Sequence, residues 1–103
     1  MEIIKGGIDP ARLRKLLERA LNENQRLILC SLDNNGESKS LTSLAEGISK
    51  AHRKPVSTLK LNAKILKELG LIEYGTRRSP RTVRLTEFGK FVIRILGADE
   101  VED

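Results

Sequence analysis

The sequence predicts a mainly α-helical fold with one small antiparallel β-hairpin, an α+β class, and three observations lead there. Apolar residues recur at helical spacing (i, i+3, i+4, i+7) over most of the chain. Two short apolar segments, Leu71-Ile72-Glu73-Tyr74 and Thr82-Val83-Arg84-Leu85, flank the turn-rich stretch Gly75 to Arg81, which is the pattern of a hairpin. The chain has 103 residues, 39% of them hydrophobic, which supports one core and leaves too little for a second. We therefore expect a single domain over 1–103, with an extra N-terminal helix in 8–22, a core in 23–97 and an acidic tail in 98–103.

The elements follow in order. Asp9-Pro10 is a helix start, because the Asp carboxylate accepts from early N–H groups and proline fits the first turn. Leu13, Leu16, Leu17, Ala20 and Leu21 make that helix amphipathic. Asn22-Glu23-Asn24 interrupts it, and a more apolar helix follows in QRLILCSL, ending before the turn signal Asp33-Asn34-Asn35-Gly36. ESKSL (37–41) suits a short strand. Ser43 and Glu46 have capping-box spacing for a third helix, with Leu44, Ala45 and Ile48 inward and Gly47 weakening its far end. After the turn SKAHRKP, Pro55 opens a fourth helix with Val56, Leu59, Ala63, Leu66 and Leu69 as its buried stripe and Gly70 as terminator. Thr86 caps the last helix, EFGKFVIRIL, whose Phe88, Phe91, Val92, Ile95 and Leu96 form a stripe that ends at Gly97.

Several function classes are excluded early. One cysteine (Cys30) and one histidine (His52) cannot build the usual zinc or Cys–His catalytic constellations, so neither enzyme nor metal site is expected and no cofactor is implied. Cys30 stands in an apolar run and reads as a buried structural thiol. No apolar run approaches the roughly 18–20 residues that span a bilayer, and MEIIKGGIDPARL lacks a signal-peptide core. The expected location is cytoplasmic, nucleoid-associated.

Charge is distributed unevenly. Residues 1–49 carry seven basic and seven acidic side chains, whereas residues 50–97 carry twelve basic and three acidic, a local +9 within a net charge of +5. The final ADEVED returns −4. A basic block on a folded segment fits a polyanionic partner.

Taken together, RLILCSLDNNGESKSLTSLAEGIS, PVSTLKLNAKILKELGLIEY and VRLTEFGK fall in the order short helix, turn, longer helix, hairpin, closing helix. From about Gln25 to Leu96 this resembles the winged-helix (helix-turn-helix) transcription regulators of bacteria and archaea. One departure stands out: the connection from Ile48 to Pro55 reads as longer than the family's tight turn. The resemblance implies sequence-specific binding of double-stranded DNA by a homodimer, through a recognition helix (about 55–69) and an arginine-rich wing (about 71–85). Ser57, Thr58, Lys60, Leu61 and Lys64 would face the major groove, Arg53 and Lys54 would meet phosphate before the helix, and Arg77, Arg78, Arg81 and Arg84 would line the wing. For Arg84 an alternative is a cross-strand pair with Glu73. Two helices remain outside the winged-helix core, at 10–21 and 87–96, and the first, with or without the second, is expected to form the dimer interface. The rival readings are an adaptor docking an acidic protein and a sequence-neutral nucleoid-binding protein.

Overall fold

The computed structural model describes residues 9–77 and 80–97. The opening MEIIKGG, Arg78 and the acidic tail 98–103 lie outside the described residues. Five helices and three short strands follow in the order α1 (Pro10–Ala20), α2 (Glu23–Asn35), β1 (Glu37–Ser38), α3 (Leu41–His52), α4 (Val56–Glu68), β2 (Ile72–Glu73), β3 (Val83–Leu85) and α5 (Glu87–Leu96). This is an α+β, winged-helix-like topology with an extra N-terminal helix.

Every helix except α4 begins at a residue whose side chain satisfies an early N–H group; α4 follows Pro55 with no side-chain cap. Asp9 Oδ1 accepts from the Ala11 N–H at 3.0 Å, with Pro10 in the first turn. Asn22 and Gln25 form a reciprocal capping box at the start of α2: Asn22 Oδ1 accepts from Gln25 N at 2.8 Å, and Gln25 Oε1 accepts from Asn22 N at 3.1 Å. The expected break at Asp33 does not occur. Asp33, Asn34 and Asn35 complete the exposed last turn of α2, and only Gly36, at φ 85°, leaves the helix.

Helix α3 differs from expectation at both ends. Its cap is Ser40, whose Oγ accepts from Ser43 N at 3.0 Å, so Ser43 lies inside the first turn and its capping box with Glu46 is not used. The helix also runs past Gly47 to His52, because buried Ile48 holds the stretch beyond the glycine. The link to α4 is therefore only Arg53-Lys54-Pro55. The long connection expected from Ile48 to Pro55 is a tight turn, with Arg53 in the left-handed region at φ 57°, ψ 45°.

Helix α4 ends in a Schellman motif: Leu71 N donates to Leu66 O and Gly70 N to Lys67 O, both at 3.0 Å, with Gly70 at φ 80°. Leu69, expected in the buried stripe, is 53% exposed, because it occupies the helix cap, where the chain is already turning. The strands form an antiparallel sheet in the order β1-β3-β2, with Ile72 opposite Leu85, Glu73 opposite Arg84, and Glu37 opposite Arg84 on the other side. Thr86 joins sheet and helix: its Oγ1 accepts from Gly89 N at 2.9 Å and donates to Gly70 O at 2.6 Å.

The core lies between α2, α3, α4, α5 and the inner face of the sheet, and Leu21, the C-cap of α1, is buried with it. It is built from Ile28, Leu29, Leu32, Leu44, Ala45, Ile48, Leu59, Ala63, Leu66, Leu71, Ile72, Val83, Leu85 and Val92. Full burial of each large aliphatic residue contributes about 1.5–3 kcal/mol. The extra helix α1 packs on α5 of the same chain. Cys30 is exposed, contrary to expectation: α2 buries Gln25, Ile28, Leu29 and Leu32, and one more residue of helical rotation carries Cys30 off that face.

Candidate nucleic-acid interface

In α4 the buried positions are Leu59, Asn62, Ala63 and Leu66. At 100° per residue, the opposite face consists of Ser57, Leu61, Lys64 and Glu68. All four are exposed, Leu61 at 60%. Lys60 and Lys67 lie on one flank of this face and Thr58 on the other. Lys60 and Thr58 are both half-buried. The rotation from Thr58 to Lys60 is about 160°, so the two do not share a surface. Thr58 also lends its carbonyl to Asn62 Nδ2 at 2.9 Å.

The wing is joined to the lysine flank at its base. Lys67 Nζ lies 4.3 Å from the centroid of the Tyr74 ring, just after β2, where Gly75 at φ 72° turns the chain into the wing loop. Burial, with the Glu68 carboxylate adding to it, holds the Tyr74 phenol above its ordinary range. Lys60, Lys64 and Lys67 follow one another along the helix at i, i+4 and i+7, so the strip that starts near the α3–α4 turn ends against the wing. Arg77, Pro80 and Arg81 are exposed beyond it.

Two of the expected contacts are occupied by carboxylates. Arg84 Nε meets Glu73 Oε2 at 2.6 Å, the cross-strand alternative left open by the sequence, and Glu37 stands opposite on the other neighbouring strand. Lys54 Nζ meets Glu23 Oε1 at 3.1 Å, tying the α3–α4 turn to the start of α2. Arg53, Lys60, Lys64, Arg77 and Arg81 have no acidic partner among the described residues, and all except half-buried Lys60 are exposed. Exposed ion pairs contribute about 0–1 kcal/mol, so a phosphate can compete for Lys54 and Arg84.

No family model matches the chain, and searches of curated proteins and of solved structures return no significant match. The likeness to winged helices is thus one of architecture: a small, mostly helical fold with a hairpin after the fourth helix. Among the described residues no group of three or more metal-ligating side chains occurs, and no helix is long and apolar enough to cross a membrane.

Sequence reasoning missed two participants. Lys67 does not stand out in the sequence, because its link to the wing depends on where Tyr74 falls in space. Asn62 was passed over, although a polar residue three after Leu59 and four before Leu66 stands on the buried face.

Proposed function

We propose that this protein binds double-stranded DNA sequence-specifically as a homodimeric transcription regulator, with α4 in the major groove and the wing on the flanking backbone. One observation supports the reading: the strip Lys60-Lys64-Lys67 meets the base of the wing through the contact of Lys67 with Tyr74, and the exposed Arg77 and Arg81 follow in the wing loop. A B-DNA major groove about 12 Å wide accepts a helix. Ser57 and Leu61, at the centre of the exposed face, would meet base edges and a thymine methyl. The lysines and Arg53, Arg77 and Arg81 would meet phosphates, which position the protein without reading sequence. Thr58 has a lesser part, because its flank turns away from the wing.

The homodimer assignment is supported by α1 and α5, which leave Leu16 62% and Phe88 52% exposed even though the two helices pack on each other. A second copy covering these side chains would set two α4 helices on two half-sites about one DNA turn apart.

The test is a gel shift on duplex DNA over a salt series. With about six phosphate contacts, affinity should fall roughly 10³-fold between about 50 and 200 mM salt. Absence of any shift at the low-salt end would overturn the reading and favour an adaptor that docks an acidic protein.

A further inference from the structure

Asn62 is 6% exposed on the inner face of α4, among Leu59, Ala63 and Leu66. Its Oδ1 accepts from Asn22 Nδ2 at 3.0 Å and from Gln25 Nε2 at 3.1 Å, and its Nδ2 donates to Thr58 O. Gln25 is likewise 6% exposed. The two donors are the members of the capping box, so their side chains are already fixed by the first turn of α2. A fixed pair of donors on one helix thus meets a single acceptor on another.

Apolar packing between α2 and α4 is non-directional and tolerates small slides and rotations. Hydrogen bonds do not. Shifting α4 by one residue along its path means about 1.5 Å of travel and 100° of rotation. Such a shift carries the Asn62 carboxamide away from both donors and leaves buried amide groups unmatched, which is penalised more heavily than the bonds themselves reward. In some proteins buried polar groups of this kind select one register among several that apolar contacts alone would allow.

We propose that Asn62, held by Asn22 and Gln25, is a positioning residue of the DNA-reading surface: it fixes the axial and rotational seat of α4, and through it sequence discrimination rather than overall affinity. This rests on reading α4 as the DNA-reading helix. Asn22 directly follows Leu21, the last residue of the α1 cap, so the same node ties the helix carrying Leu16 to the reading helix.

Two variants test it. Asn22→Ser keeps a hydroxyl to cap the Gln25 N–H but removes the donor to Asn62, and Asn62→Leu removes the acceptor. Each is compared with the parent on a duplex selected by the parent from a random pool and on a scrambled duplex, with helix content followed by circular dichroism. We expect the ratio of selected to scrambled affinity to fall about tenfold, the equivalent of ~1.4 kcal/mol. Affinity for the scrambled duplex and the salt slope should stay at parental values. If Asn62→Leu fails to fold, Asn22→Ser decides. A folded Asn22→Ser protein with the parental ratio overturns the inference and leaves sequence-specific binding standing, whereas a parent that binds both duplexes equally overturns the inference and the sequence-specific reading and leaves only DNA binding. A parent that binds neither at low salt overturns both.

Discussion

Arg53 occupies a backbone conformation that its side chain disfavours. Among the described residues it is the one non-glycine with positive φ, at the turn between α3 and α4. The left-handed region costs an L-residue about 1–2 kcal/mol, and glycine is at ease there. Arg53→Gly should therefore raise stability by roughly 0.5–1 kcal/mol, the relieved strain less the greater freedom of glycine in the unfolded chain. The same change should weaken DNA binding several-fold and lower the salt slope by about one. Thermal unfolding and gel shifts on one preparation check both. Tyr74 gives a second test at this scale. It is the only tyrosine and the chain has no tryptophan, so phenolate absorbance reads it alone. It should titrate above the ordinary phenol range, because burial and Glu68 oppose its charge. A pKa raised in the folded state means a contribution to stability that is complete below the unfolded value and lost as pH rises through the folded one. A titration at the ordinary phenol value would contradict this account of its surroundings.

The closing helix shows how much of an element can be read from sequence. Thr86 as cap, the Phe91-Val92 inward positions and Gly97 as terminus all follow from spacing and capping chemistry. The need for Gly89 does not. A Cβ there would lie 2.0 Å from the Leu71 carbonyl oxygen, a backbone atom that cannot swing away. Gly89→Ala should destabilise the fold by about 3 kcal/mol or more, measured by denaturant unfolding. An unchanged midpoint would show that α5 can lift off the sheet without loss. Legibility elsewhere divides the same way. Helix α2 was placed by its apolar face, but its length was underestimated, because asparagines in a last turn look the same as asparagines in a loop. Helix α3 begins after the first of two serines able to cap it, Ser40, whose Oγ accepts from Ser43 N. Ion pairs such as Lys54–Glu23 join residues that only the tertiary fold brings together. The candidate interface was legible in its residue types and in the outer face of α4. It was not legible in the split between Thr58 and Lys60, in the Arg84–Glu73 pair, or in the Asn62 node.

For the whole molecule, the described basic side chains divide into those held by acids and those presented outward. At the candidate interface the outward set runs from Arg53 through Lys60 and Lys64 to Arg77 and Arg81, past the Lys67–Tyr74 contact, while Arg12, Lys15, Arg19, Lys39, Lys50 and Arg94 are exposed elsewhere. Helices α1 and α5 pack on each other and still expose Leu16 and Phe88. Sedimentation at tens of micromolar should find a dimer, and Leu16→Glu with Phe88→Glu should shift it toward monomer without loss of helix content. A parent that sediments as a monomer would remove the twofold arrangement from the account. The central claim is that the lysine strip of α4 and the arginines of the wing act as one surface on DNA. Its most direct test is the dependence of binding on salt for the parent, for Lys60→Ala/Lys64→Ala, for Arg77→Ala/Arg81→Ala and for the combined variant, all on one duplex. Each pair should lower the slope of log affinity against log salt by about two, and the combination by about four. A combined variant that keeps the parental slope would contradict the account.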